Sequence, residues 1–339
     1  MAETYSTLAA LFTDIADAIR EKTGETGSIV ADDFPDVIRE RLQAAPPPAY
    51  LTFSSPNSFT LKVNDVTKHW NGTLEYSTDT STWSTWDGTT TLSSATSGSD
   101  NVLYLRGTGN TVITGNDMLY KWVLTGSDIK CIGNIENLLD YATVQSGNHP
   151  TMADYCYGAM FFGCTSLAHA PTLPATTLAD SCYYIMFQGC TSLTQAPALP
   201  ATTLANHCYD SMFEGCTALT QAPALPATTL ADRCYYSMFN GCTSLTQIPS
   251  LPAITLAKYC YYQMFSGCSK IKLSKTQTGE YTVAYRIPTT GTGKTASSAL
   301  TNMFASTGGT FKSTPSINIT YYLSNTNRVV GAGDLSDNN

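Results

Sequence analysis

A stretch of 26 residues that recurs almost verbatim constrains this chain more than any other feature. The motif Met-Phe-x-Gly-Cys occurs five times, each copy 26 residues after the last, at Met160, Met186, Met212, Met238 and Met264. An internal period of this length is typical of a solenoid, in which each unit packs mainly on its neighbours. The period therefore predicts a solenoid of 26-residue coils over residues 131–275. Residues 276–339 are then a C-terminal cap and tail, because "LTNMFASTGGTF" at 300–311 repeats the motif without its cysteine.

Each coil is expected to contain three kinds of local structure. We predict a short strand around "LTQAP", a bend at the Pro-x-Leu-Pro corner and a helical turn across "CYYxMFxGC". Coils stacked at about 5 Å, the spacing of neighbouring strands, bring equal positions into columns. The residues that never change are therefore predicted to be core columns.

The residues before the repeats divide into two further segments. Residues 1–45 are predicted to be a helical attachment or oligomerisation segment, with a helix from Thr7 to Arg20. Its apolar face consists of Leu8, Leu11, Phe12, Ile15 and Ile19. A second short helix is predicted from Asp33 to Leu42, and two short helices do not bury a core alone. They must pack on copies of themselves, on a partner protein or on the next domain of this chain.

A proline-rich spacer, "AAPPPAY" at 44–50, leads into a segment of alternating apolar and polar residues. Residues 46–130 are therefore predicted to be a small β-sandwich. All four tryptophans of the chain lie in it. A tryptophan in such a domain is usually part of the core, but Trp83 and Trp86 in the turn-rich "STWSTWDG" are candidates for stacking on sugars. The fold class is thus mainly β with short helices.

Composition bears on the partners of the protein. Only 13% of residues are charged and the net charge is −8, so there is no basic field for nucleic acid. No apolar run reaches about 18 residues, so we expect no membrane span. The N-terminus lacks the basic and apolar regions of a signal peptide, which predicts synthesis in a cytosol without export.

Ten of the eleven cysteines fall into two columns, one on each side of the Met-Phe pair. Their spacings of 8 and 18 residues do not match zinc motifs, and no histidine accompanies each pair. We therefore predict buried thiols and no metal or other cofactor. Disulfides between coils, formed outside the cell, are the alternative.

The positions that change between coils are predicted to face solvent. They include Tyr184, Asp210, Tyr236 and Tyr262, two residues after a first-column cysteine, and His207, Arg233 and Tyr259, one residue before it. Polar and aromatic residues in a column suit a glycan- or protein-binding face, and drift on an unused surface is the alternative. No histidine recurs from coil to coil, so the chain is predicted not to be an enzyme. Paired acids for glycoside hydrolysis, drawn from distant positions, stay open.

The segments "MFQGCTSL", "MFEGCTAL" and "MFNGCTSL" resemble the leucine-rich repeats named after the BspA surface antigen. The tryptophan-containing segment is similar to one found before such repeats in proteins of gut Firmicutes. The first helical stretch, "LAALFTDIADAIREKTGETGSIVADDFPDVI", resembles the N-termini of tail-associated virion proteins of phages from the same bacteria.

Together these resemblances imply a virion structural protein, tail-associated or decorating the head, that displays its repeats for host recognition. Its partners would be other virion proteins, copies of itself through the N-terminal segment, and a host surface glycan or protein. A bacterial cell-surface adhesin with the same repeats is the alternative. The expected absence of an export signal favours the virion.

Overall fold

The computed structural model describes residues 50–64, 68–115, 120–286, 296–311 and 320–324. All of them belong to one compact unit, residues 48–339. The predicted helical segment 1–45, with its apolar face, lies outside the described residues. The prediction of a mainly β chain is confirmed, since α1 (Asn137–Gln145) is the one helix among the described residues and the other elements are strands.

The first part of the unit is built from nine short strands. They are β1 (Leu51–Ser55), β2 (Thr60–Val63), β3 (Thr73–Ser77), β4 (Ser84–Thr85), β5 (Leu92–Ser93), β6 (Ala95–Ser97), β7 (Asp100–Thr108), β8 (Trp122–Thr125) and β9 (Ile129–Ile132). One sheet has the order β10-β9-β1-β7-β3-β4, in which β10 (Leu167–His169) comes from the first repeat and β6 is also paired to β7. A second sheet has the order β5-β2-β8. The two sheets meet where Phe53 of β1 packs against Trp122 of β8, with ring centroids 6.4 Å apart. Trp70 and Trp86 complete this core.

The sheet continues directly into the repeats. β9 contains the predicted boundary at residue 130, and β10 (Leu167–His169) of the first repeat pairs with it in parallel. Phe161 of the first repeat packs on both Phe53 and Trp122, and the main-chain N–H of Trp122 donates to the Met160 carbonyl at 2.7 Å. The two-sheet region therefore covers the first repeat and satisfies carbonyls that have no preceding repeat to bind them.

Helix α1 lies between β9 and the first repeat and is broken in its first turn. Asp140 has φ −154° and ψ 100°, which is not helical. Its carboxylate accepts the N–H of Thr143 at 2.9 Å and that of Gly109 at 3.0 Å. Asp140 thus acts as a second N-cap inside the element.

The repeats are joined through a segment that we call the turn segment, at residues 154–164, 180–190, 206–216, 232–242 and 258–268. In the second turn segment, alternate residues from Ser181 to Gly189 donate their N–H groups to carbonyls of the third, at 2.8 to 3.1 Å. The residues between them, from Cys182 to Cys190, donate to the carbonyl three residues earlier, as in successive β-turns. Every N–H from Ser181 to Cys190 is therefore used, half of them between repeats.

This backbone is not the helical turn that the sequence predicted. Every fourth residue has a positive φ, for example Ser181 at 57°, Ile185 at 46° and Gly189 at 75°. A regular helix has no such residues. The third of these positions is always glycine, which adopts positive φ without the steric cost of a Cβ atom.

The strand predicted in every repeat is present in the first repeat as β10 and at the equivalent place of the fifth as β11 (Lys272–Ser274), but it is absent from the three repeats between them. The segments that follow, at 169–174, 195–200, 221–226 and 247–252, are called the proline segments here, and the last three contain no strand. Each carries two prolines, such as Pro197 and Pro200, which have no N–H to donate. A continuous hydrogen-bonded ladder cannot form there.

Equal positions of the turn segments form two buried aromatic columns. Six phenylalanines stack with centroids 5.5 to 5.7 Å apart and planes within 9°, namely Phe161, Phe187, Phe213, Phe239, Phe265 and Phe304. Five tyrosines stack at 5.6 to 6.0 Å with planes within 10°, namely Tyr157, Tyr183, Tyr209, Tyr235 and Tyr261. This geometry is offset stacking, which adds to the free energy of burial.

The sixth layer comes from the predicted cap. Phe304 stacks on Phe265 although it lies 39 residues later in the chain, not 26. The carbonyls of Ser297, Ala299, Thr301, Met303 and Ala305 accept the N–H groups of the fifth turn segment. A sheet with the order β12-β14-β11-β13 follows, built from β11 (Lys272–Ser274), β12 (Tyr281–Arg286), β13 (Gly308–Gly309) and β14 (Thr320–Ser324). Tyr321 of β14 packs edge-on against Phe304.

All eleven cysteines are buried as free thiols. In the second column each thiol donates to a main-chain carbonyl of the layer before it, as Cys190 does to Phe161 at 3.1 Å and Cys216 to Phe187 at 3.1 Å. Burial raises the pKa of these thiols, to about 12 for Cys216 and Cys268. The second column is thus held by hydrogen bonds as well as by size, which the sequence did not indicate.

We expect Phe213→Ala to destabilise the protein by about 3–5 kcal/mol, because Phe213 is fully buried between two stacked rings. The measurement is the urea unfolding midpoint. Thr217→Ala, an exposed change in the same repeat, serves as the control and should alter stability by less than about 0.5 kcal/mol. Equal effects of the two changes would contradict the stacked column.

We also expect the native protein to resist Ellman's reagent at pH 8. A thiol with a pKa near 12 is ionised in roughly one molecule in ten thousand at that pH, and burial blocks access as well. Fewer than about one thiol should react before unfolding, and all eleven after it. Thr217→Cys supplies an exposed thiol as a positive control. Native cysteines that react as fast as the thiol introduced by that change would refute the buried columns.

Candidate functional site

The predicted variable positions converge on one face of the third, fourth and fifth repeats. We call this face, defined by His207, Asp210, Arg233, Tyr236, Tyr259 and Tyr262, the tyrosine face. His207, Arg233 and Tyr259 occupy the first positive-φ position of successive turn segments, with φ between 53° and 57°. Tyr155 and Ser181 share this conformation, so it belongs to the architecture of the repeat and not to the site alone.

The aromatic part of the face is formed by three half-buried tyrosines. Tyr236 and Tyr262 stack with centroids 4.7 Å apart and planes within 9°. Tyr259 packs edge-on against Tyr262 at 5.6 Å. The three rings come from two neighbouring repeats and form one continuous aromatic surface.

Asp210 corrects the prediction that every variable position faces solvent. Its side chain is only 3% exposed, although its counterparts in the neighbouring repeats are tyrosines on the surface. Its Oδ2 atom lies 3.0 Å from His207 Nδ1 and 3.4 Å from Arg233 Nε, and its Oδ1 atom accepts the Ser211 hydroxyl at 3.0 Å. A short carboxylate can turn inward because these three groups replace the water that it loses.

Burial sets the acidity of the carboxyl groups near the face. It raises the pKa of Asp210, against the opposing effect of the hydrogen bonds from His207 and Ser211. It also raises the pKa of Glu214, whose carboxylate accepts the Gln188 side-chain amide at 2.6 Å. Glu214 and Gln188 were not predicted as site residues, although their variation in the Met-Phe-x-Gly-Cys motif was visible in the sequence.

Arg233 connects the acidic and aromatic parts. Its guanidinium carbon lies 4.1 Å from the centroid of Tyr236 and 5.8 Å from that of Tyr259. Lys258 in turn lies over Tyr259 at 5.4 Å. Such cation–π contacts fix the orientation of a long side chain as well as stabilising it.

Tyr184 lies at the edge of the face. The charges of Asp210 and Arg233 both act on its hydroxyl, and burial is the main cause that raises its pKa. Its ring contacts Tyr155 of the first repeat edge-on at 6.3 Å. The seven predicted residues therefore lie along one strip of successive repeats, with Asp210 beneath the surface.

The two tryptophans predicted to stack on sugars do not form a platform. Trp86 is 1% exposed and packs between Trp70 and Trp122, so its prediction as a stacking residue is wrong. Trp83 is half-buried, and the guanidinium of Arg106 covers one face of its ring at 4.1 Å. Arg106 is itself held by Glu75 at 2.7 Å. The turn-rich sequence around Trp83 did not reveal these partners, which come from distant strands.

The cavities lie elsewhere. A groove of about 500 Å³ separates the proline segments of the third and fourth repeats, and one of about 280 Å³ separates those of the first and second. A third, of about 320 Å³, lies beside buried Glu136 and exposed His149, whose side-chain atoms are 2.8 Å apart. None of the predicted site residues lines these three cavities. Across the described ranges, no three His, Cys, Asp or Glu side chains are arranged to hold a metal ion.

We expect the stability difference between Asp210→Asn and the wild-type protein to depend on pH. Because burial raises the pKa of Asp210 above its ordinary 3.8, the folded state favours the protonated form. The wild-type protein is then relatively most stable below pH 3.8 and loses that stability as pH rises through the raised pKa. Urea unfolding between about pH 3 and 7 should show that the free energy of unfolding of the asparagine variant rises relative to that of the wild type as pH increases.

Asp79→Asn is a control of opposite sign. Hydrogen bonds from the N–H groups of Thr82 and Ser81 lower the pKa of Asp79, so its ionised form favours folding. The free energy of unfolding of that variant should fall relative to that of the wild type as pH increases. If the stability difference from the wild type changed with pH in the same direction for both variants, the buried state of Asp210 would be contradicted.

Comparison with protein-family models, with curated proteins and with solved structures found no match to this chain. No helix within the described residues has the length and hydrophobicity that a bilayer span requires. The geometry of the tyrosine face is therefore the main support for a function.

Proposed function

We propose that the repeats form a leucine-rich solenoid of the BspA type and that the chain is a virion surface protein which binds the host cell through the tyrosine face. The observation that carries the proposal is the convergence of variable residues from three successive repeats on one strip, over columns that do not vary. A scaffold that fixes its core and changes its surface from unit to unit is suited to recognition.

The chemistry of the strip supports binding more than catalysis. Exposed tyrosines and an arginine are the residues that dominate binding energy at interfaces, because they bury a large area at low cost in side-chain entropy. The buried carboxylate of Asp210 is hydrogen-bonded to three neighbours and serves to hold Arg233 and His207. These contacts favour a rigid binding surface.

We further propose that residues 1–45 attach the protein to the particle, to copies of itself or to both. Many copies on one particle would convert weak contacts at each tyrosine face into strong attachment. The virion assignment is supported by the resemblance of the N-terminal stretch to tail-associated proteins. The repeats alone suit a bacterial surface adhesin equally well.

The binding role is tested with intact cells of candidate host bacteria. The triple variant Tyr184→Ala, Tyr236→Ala, Tyr262→Ala should bind at least about tenfold more weakly than the wild type, because it removes two of the three rings of the aromatic surface and the tyrosine at its edge. The matched control replaces three half-buried tyrosines outside the face, Tyr104, Tyr120 and Tyr281, with alanine. Circular dichroism verifies folding. Unchanged binding by the first triple variant, or equal loss in both, would refute the role of the face.

Two further measurements separate the alternatives. Antibody labelling of purified particles should detect the protein on virions, whereas a signal only in the envelope of uninfected cells would favour the adhesin. Assays for reducing ends released from the same cell walls test glycoside hydrolysis directly, and release that depends on Asp210 or Glu214 would overturn the binding-only proposal.

A further inference from the structure

The column of residues two positions after each first-column cysteine is interrupted. It contains tyrosine in the second, fourth and fifth repeats, at Tyr184, Tyr236 and Tyr262, and aspartate in the third, at Asp210. Tyr262 covers one face of Tyr236 at 4.7 Å. The guanidinium of Arg233 lies 4.1 Å from the same ring, and two groups this close must lie on opposite faces. Arg233 therefore covers the face of Tyr236 that points towards the repeat without a tyrosine.

The guanidinium is held on two sides and open on a third. Its Nε atom lies 3.4 Å from Asp210 Oδ2, and its Cζ atom lies 4.1 Å over the ring of Tyr236. Among the described residues, that contact from Nε is the one hydrogen bond of the group. The two terminal nitrogens carry four N–H donors, and the side chain is 38% exposed. These donors are thus oriented in advance, and no group within the described ranges accepts from them.

The chemistry of this open edge selects a ligand class. The terminal edge of a guanidinium matches a carboxylate, which can accept two parallel hydrogen bonds. Lys258, one repeat later, adds positive charge beside the same rings, with its Nζ atom 5.4 Å from the centroid of Tyr259. The nearest acid, Asp210, is buried and already bonded, and an oxygen of Asp232 accepts the Lys258 main-chain N–H at 3.1 Å.

The neighbouring rings suggest what carries the carboxylate. Tyr259 lies within 5.8 Å of the guanidinium carbon and is half-exposed. The face of a pyranose ring packs well on an aromatic side chain, whose apolar surface it shields from water. A sugar that carries a carboxylate thus finds a partner for the acid in Arg233 and a partner for its ring in Tyr259, both within one strip.

We propose that the tyrosine face binds an acidic glycan, with the carboxylate of a hexuronate residue on the terminal nitrogens of Arg233 and the sugar ring against Tyr259. This inference rests on the proposed binding role of the same face and specifies its ligand. Asp210 is then a positioning residue, because it holds the guanidinium and does not touch the sugar.

The probe is a galacturonate trisaccharide, and its methyl ester is the neutral reference of almost equal shape. Titration followed by NMR should shift the Nε–H signal of Arg233 with the acid and not with the ester. The acid should bind at least about tenfold more tightly, the difference expected of a bidentate charged pair. Equal binding of acid and ester, or an unmoved Arg233 signal, would overturn the proposal. This wild-type measurement does not depend on a variant that folds.

Variants separate the guanidinium from general charge. Arg233→Lys retains the charge but lacks the planar pair of donors, and should remove most of the preference for the acid. Lys258→Gln lowers the net charge beside the site and should retain most of that preference. Arg106→Lys makes the same chemical change on the stacked arginine of the two-sheet region and should have no effect. A preference that survives in Arg233→Lys would overturn the role of the guanidinium.

Two controls define the class of ligand and its relation to the wider function. Inorganic phosphate that displaces the trisaccharide at equal concentration would overturn the sugar specificity and leave a general anion site. Host-cell binding that persists while the trisaccharide fails would refute the acidic glycan and retain the proposed function. Trisaccharide binding without host-cell binding would support the acidic glycan and refute the proposed role in host attachment.

Discussion

The hydrogen bonds between turn segments are the constraint on which the rest of the structure depends. Alternate N–H groups bind the next repeat and the others close turns within their own, so a repeat satisfies its backbone only when a neighbour is present. This pattern fixes the separation of layers, and with it the stacking of Phe187 on Phe213 at 5.6 Å and the reach of each second-column thiol to the layer before it. The core columns and the backbone pattern therefore require each other.

The tyrosine face is a product of the same geometry. The scaffold places one residue from each repeat at a fixed interval, so a single substitution changes the chemistry of a strip without altering its spacing. At Asp210 the loss of a ring admits the guanidinium of Arg233 from the next repeat, and the buried carboxylate holds it. A guanidinium packed on a tyrosine ring thus arises where a regular column is interrupted, at a position where the backbone remains regular.

Much of the stacking of the repeats could be predicted from the sequence, because residues that recur unchanged every 26 positions must occupy equal places in successive repeats. The thiol columns, the phenylalanine column and the echo at Phe304 all follow from repetition. The strand predicted beside the proline segments did not form in the middle repeats. Apolar residues suggested it, but Pro197 and Pro200 have no main-chain N–H to donate. Variation was equated with exposure, which failed at Asp210 because a short carboxylate can be buried with partners from other repeats. Trp86 was misjudged because its core neighbours lie far away in the chain.

The directional pattern of the hydrogen bonds has a consequence for how such a chain can change. Each turn segment donates towards the C-terminal side and accepts from the N-terminal side, and every internal junction is of the same kind. The two-sheet region and the layer at Phe304 close the ends without reference to the number of units between them. The stretches at 195–205 and 221–231 both read "QAPALPATTLA", so one unit can stand in the place of another in this part of the chain. Gain or loss of one 26-residue unit there lengthens or shortens the strip of variable residues and changes which side chains are neighbours, while every junction in the core stays of the type already present.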